Sequence, residues 1–135
     1  SQEQALSQAA QMSRFRENMQ HYVLIVVNDK KVRCTELQTK VANFNSQYYA
    51  NAGFKVNLFM FTDTTQLVTI HRFDNATAAM DYYIHLQQPD GPLAGYSEKA
   101  YTVIPMSTQN YSQFYNKKNL DAYLEFFNHY YRKKE

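Results

Sequence analysis

The sequence predicts an α+β domain: four strands and two helices in the order β-α-β-β-α-β, closed by a further C-terminal helix. Three observations carry that reading. His21-Tyr22-Val23-Leu24-Ile25-Val26-Val27 is an unbroken run of β-branched and aromatic residues, as expected of a central strand buried on both faces. Two runs at about residues 55–61 and 66–73 flank the polar loop Thr62-Asp63-Thr64-Thr65 and read as a hairpin. On either side of that hairpin, apolar residues recur at helical spacing.

The elements follow in order. Residues 1–20 are polar and Gln-rich, with Met12, Phe15 and Met19 spaced for one helical face, and read as a helical lead-in or a linker. After the first strand, a helix over about 32–50 carries Leu37, Val41, Phe44 and Tyr48 on one stripe. Gly53 ends it, because glycine takes the left-handed conformation without a Cβ penalty. Past the hairpin, Asp74 or Asn75 can cap a helix bearing Ala76, Ala79, Met80, Tyr83 and Leu86. Gln88-Pro89-Asp90-Gly91-Pro92 is a loop, residues 93–98 stay unassigned, and a last strand runs from Tyr101 to Pro105, which ends it. Ser107 caps a short turn with Tyr111, Phe114 and Tyr115. Asn119 starts a final helix with Leu120, Tyr123, Leu124, Phe127, Tyr130 and Tyr131 on its stripe, so 107–131 forms the C-terminal helical segment of a 21–135 domain. The basic end Arg132-Lys133-Lys134 suits the helix dipole. This order is the ferredoxin-like one, with an antiparallel four-stranded sheet and two helices on one face.

Bulk properties bound the function. A chain of 135 residues is one domain. Its net charge of +2, from 14 basic and 12 acidic residues, is too even to imply a nucleic-acid footprint. There are 12 Tyr and 9 Phe but no Trp, which predicts a core with wet edges, since tyrosine joins an apolar ring to a polar tip. Cys34, the single cysteine, lies on an apolar helical stripe and is expected to pack as a small hydrophobe. No stretch reaches the roughly 18 apolar residues of a membrane span. No signal-peptide pattern is present, and the start at Ser1 is expected of an excised piece of a longer chain.

Strand alternation sorts the hairpin into two faces. Val56, Leu58 and Met60, with Val68 and Ile70, should meet the two helices. The other face carries Asn57, Phe59 and Phe61 beside Leu67, Thr69 and His71, with Phe61 expected opposite Leu67, Phe59 opposite Thr69 and Asn57 opposite His71. Asn57, Phe59, Phe61, Thr69 and His71 are therefore the candidate binding surface. The first strand is apolar on both sides, so something should cover part of this second face. The last helix is the natural cover, with a dimer mate, another domain or a ligand as alternatives.

Catalytic and metal constellations are not found. His21, His71, His85 and His129 are scattered over four elements and none lies one helical turn from a second ligand. His85 reads as solvated. No Gly-rich phosphate loop and no Gly-x-Ser-x-Gly elbow exists, and no carboxylate pair reads as catalytic. No cofactor and no enzymatic activity are expected. RNA-recognition domains share the strand order but need a glycine and further aromatics on the third strand. Here Phe73 is the one aromatic there, so nucleic acid is not expected as a partner.

Several stretches carry a resemblance. They are His21–Val27, Asn43-Phe44-Asn45 before Tyr48-Tyr49, Gln66-Leu67-Val68 through Phe73, Ala79-Met80-Asp81-Tyr82-Tyr83, and Asn110-Tyr111-Ser112-Gln113-Phe114-Tyr115 to Tyr123-Leu124-Glu125-Phe126-Phe127. Over about residues 21–131 the chain resembles the C-terminal domain of Bacteroidetes tetratricopeptide-repeat lipoproteins of the PorW/SprE type. That resemblance implies a periplasmic or outer-membrane lipoprotein fragment serving type IX secretion and gliding motility. It implies action by binding other envelope proteins or the upstream part of its own chain, and a homodimer is allowed; a cytoplasmic location stays open. A fainter likeness is to peptidoglycan-binding SPOR domains, through Val68-Thr69-Ile70-His71-Arg72-Phe73 before an Ala-rich helix, although Arg72 stands where those domains carry glycine. It implies glycan binding on the Phe59, Phe61, Thr69, His71 face.

Overall fold

The computed structural model describes residues 15–132. Strands β1 (His21–Val27), β2 (Lys55–Met60), β3 (Gln66–Phe73) and β4 (Tyr101–Ser107) form one antiparallel sheet in the order β2-β3-β1-β4. Helix α1 (Cys34–Tyr48) joins β1 to β2, and α2 (Ala76–Leu86) joins β3 to β4. Then α3 (Thr108–Lys117) and α4 (Leu120–Tyr130) follow the last strand. The fold is α+β and ferredoxin-like, with an added helical pair.

Local chemistry sets the boundaries. The side chain of Asn75 accepts from Ala78 N at 2.9 Å, that of Ser107 from Asn110 N at 3.1 Å, and that of Asn119 from Ala122 N at 3.0 Å, so each satisfies an orphan donor of its helix. Gly53 takes φ +67 in the turn after α1. Between α3 and α4, Lys118 adopts the left-handed conformation at φ 56, and its N–H donates to Phe114 O at 2.7 Å.

Alternation along β1 builds two cores. Val23, Ile25 and Val27 face α1 and α2 with Val68 and Ile70, against Leu37, Val41, Phe44, Ala79, Tyr82 and Leu86. Leu24 and Val26 face the other way with Leu67, Ile104 and Met106, against Phe114, Ala122, Tyr123, Phe126 and Phe127 of α3 and α4. The C-terminal helices thus cover the second sheet face. Burying each large apolar side chain contributes roughly 1.5–3 kcal/mol, so both layers matter for stability. Tyr82 centres the first core, with Phe73 at 4.9 Å and Tyr49 at 5.2 Å between ring centroids, and its hydroxyl donates to Asn45 Oδ1 at 2.6 Å. Cys34 is buried there, and burial pushes its thiol up.

Several expectations need correction. The hairpin pairs Phe59 with Leu67, Asn57 with Thr69 and Lys55 with His71, a shift of two residues from the expected register. β2 stops at Met60 because Phe61 belongs to the turn. Its N–H donates to Thr65 O at 3.0 Å, while the Thr62 hydroxyl accepts from the N–H groups of Thr64 and Thr65. A shift of two leaves every side chain on its expected face, but Met60, expected against the helices with Val56 and Leu58, is exposed instead. Pro105 does not end the last strand, which runs on to Ser107; β4 is an edge strand, where a residue without an N–H fits. Residues 15–20 run as a turn, and the rest of the expected helical lead-in or linker, Met12 included, lies outside the described residues. Lys133 and Lys134 of the basic tail lie outside them too.

Candidate functional site

The five residues of the expected binding surface share one face but not one exposure. Phe61 is 5% exposed and Thr69 is 1% exposed, whereas Phe59 is 43% exposed. Phe61 is stacked on Phe114 at 5.0 Å, and Leu67 beside it is fully buried under the α3–α4 layer. Asn57 and His71 are half-buried. Asn57 Nδ2 donates to His71 Nε2 at 3.1 Å, which places the proton of the neutral ring on Nδ1. Tyr22 lies stacked between His71 at 4.7 Å and Tyr111 at 4.3 Å. Burial pushes the Tyr111 hydroxyl up to about 12. The face therefore does not lie open as a platform: α3 closes its centre, and its β2 margin reaches solvent.

That margin belongs to an edge strand. The Phe61 to Thr65 hydrogen bond turns the backbone groups of the odd-numbered β2 residues toward β3 and those of Val56, Leu58 and Met60 outward. Two of the outward carbonyls are met by side chains. Gln38 Nε2 of α1 donates to Val56 O at 2.9 Å, and the Tyr115 hydroxyl of α3 donates to Met60 O at 3.1 Å. The backbone of Leu58 faces outward between them. Next to it stand Phe59 and Met60, the latter 57% exposed, two large apolar side chains adjacent on a sheet edge. Lys118 braces the α3–α4 corner nearby, its Nζ 4.0 Å from the Tyr115 ring and 4.8 Å from that of Phe61.

The perturbed titratable groups sit mostly inside the packing. Burial pushes the hydroxyls of Tyr82, Tyr123 and Tyr131 upward and holds His21 below the ordinary histidine value. His21 is fully buried; its Nδ1–H donates to Met19 O at 2.7 Å and its Nε2 accepts from the Tyr131 hydroxyl at 2.7 Å. The Tyr123 hydroxyl donates to Pro105 O at 2.8 Å. These bonds tie the chain entry, β4 and α4 together. His85, expected to be solvated, is half-buried. It packs edge to face on Phe44 and Tyr48, both at 4.8 Å, and lies 2.9 Å from the Tyr49 hydroxyl. Among the described residues no three His, Cys, Asp or Glu side chains gather where a metal ion could sit, and no helix is long and apolar enough to cross a membrane.

Sequence reasoning marked Phe59 but missed Met60, Leu58, Gln38 and Tyr115 as parts of one edge. Phe59 and Met60 being adjacent and apolar at a strand end was the available signal. Comparison of the chain with protein-family models, with curated proteins and with solved structures finds no match.

Proposed function

We propose that this chain is a non-catalytic protein-interaction domain whose contact surface is the β2 edge. The observation that carries the reading is the contrast between sheet faces covered at their centres and a β2 edge that exposes Phe59 and Met60 and turns the Leu58 backbone outward. Outward backbone groups on an edge strand can pair with an extended segment of a partner, and adjacent apolar side chains add area to such a contact. The resemblance to PorW/SprE-type lipoprotein domains supports a cell-envelope partner, in type IX secretion or gliding. Glycan binding on the sheet face has less to support it, because Phe61 and Thr69 are buried.

A pull-down from envelope extract tests the reading, using the full chain and a Phe59→Lys/Met60→Lys variant. Retention of a discrete protein by the parent chain and its loss by the variant is the expected result. Equal retention by both, sedimentation of the chain with peptidoglycan sacculi, or turnover in a broad hydrolase screen would each overturn it.

A further inference from the structure

Beside the β2 edge, the sheet carries a second feature that the interaction reading does not use. The β1–β3 ladder pairs Tyr22 with His71 but His21 with Phe73, leaving Arg72 as an extra, unpaired residue in β3. Such a bulge breaks the strict alternation of side chains and re-aims the residues around it. Arg72 and its sequence neighbour His71 line one and the same hollow. The hollow, about 300 Å³, is lined by Gln20, Ala52, Gly53, Lys55, His71, Arg72 and Asp74, with Lys55 directly opposite His71 in the β2–β3 register.

The charges of this hollow are unbalanced. Lys55 and Arg72 bring two cations against the single carboxylate of Asp74. All three are exposed, and among the described residues neither cation takes part in an ion pair. The groups around His71 are Lys55 from β2, Arg72 from β3, Tyr22 from β1, Asp74 across the same hollow, and Asn57, which already occupies Nε2. Apart from Asp74, none of these supplies a negative charge. Besides burial, the nearby positive charges of Arg72 and Lys55 hold His71 below its ordinary value. An arginine, a lysine and a histidine around one hollow match the donor set that carboxylates and phosphates take.

We propose that this hollow binds a carboxylate of the partner, held by Arg72 and Lys55 with His71 as a further donor. The proposal rests on the interaction reading and deepens it: the partner segment at the β2 side is acidic, through a Glu or Asp side chain or a free chain end.

The test is NMR titration of the full chain, following the His71 imidazole resonances. The probes are acetyl-Gly-Glu-Gly-amide, acetyl-Gly-Gly-Gly with a free carboxyl end, acetyl-Gly-Gln-Gly-amide and inorganic phosphate. A saturable shift with one or both carboxylate peptides, and none with the Gln peptide, is expected, and which peptide acts tells side chain from chain end. Arg72→Ala and Lys55→Ala, both at exposed positions, should each weaken binding about two- to fivefold, the loss expected for one solvent-exposed ion pair. No saturable shift with either carboxylate, an equal shift with the Gln peptide, undiminished binding in both variants, or binding of phosphate alone would overturn the proposal. If carboxylate binding fails while edge-dependent capture persists, only this hollow is refuted. If capture fails while carboxylate binding holds, the edge reading falls instead.

Discussion

The two edges of the sheet are built to opposite ends. Around the β4 edge the helical layers close on one another: Tyr83 of α2 meets Phe127 of α4 edge to face at 5.3 Å, although the two helices lie on opposite faces of the sheet. β4 also contains Pro105, which offers no N–H to an incoming strand. The β2 edge has no such closure. Two side-chain amide and hydroxyl donors touch its carbonyls, Leu58 faces outward between them, and Phe59 and Met60 stand exposed. Native sheets blunt their edges against unwanted pairing. A chain that packs helices together around one edge and leaves the other with exposed apolar side chains marks the second as the place where it meets something else.

Phe127→Ala breaks the comparison with the largest effect. It removes a buried ring from the second core and from the closure of the β4 edge, and should cost about 3–5 kcal/mol in urea unfolding. Self-association through the newly opened β4 edge should accompany it and show in sedimentation velocity. Tyr131→Phe comes next. It deletes the hydroxyl that satisfies His21 Nε2, leaving a buried acceptor unpaired at a cost of about 1–3 kcal/mol.

The same histidine sets a pH dependence. His21 is held neutral below its ordinary value, so just below about pH 6.5 the unfolded chain takes up a proton that the folded chain refuses. Stability is therefore complete above that pH and falls as pH drops through it. His71 is shifted the same way and adds to the effect. Urea midpoints measured above and below that pH should show the drop, and His21→Gln should flatten it. The smallest stability effect belongs to the open edge: Met60→Lys should change stability by no more than about 0.5 kcal/mol. A larger loss would mean that Met60 is a core residue after all.

Strand and helix types were legible in the sequence because the local signals agreed. The β-branched run of β1, the asparagine and serine caps of α2, α3 and α4, and Gly53 after α1 each act within a few residues of themselves. So did the sheet faces, which survive a register shift of two. The register itself was misread because it depends on whether Phe61 joins the strand or the turn, and the Thr62 hydroxyl decides that through bonds to Thr64 and Thr65. His85 and His21 could not be placed from their own surroundings. The partners that define them are Tyr49 and Tyr131, far along the chain and brought near only by the packing of helices. The bulge at Arg72 shows only in the pairing of β1 with β3, which the residues around it do not reveal.

The most direct test places a photoreactive residue on each edge in turn, at Met60 on β2 and at Thr102 on β4, in the full chain exposed to envelope extract. Discrete protein adducts from position 60 and none from position 102 are the predicted result. Equal adducts from both edges, or adducts from position 102 alone, would contradict the claim that the open edge is the contact surface.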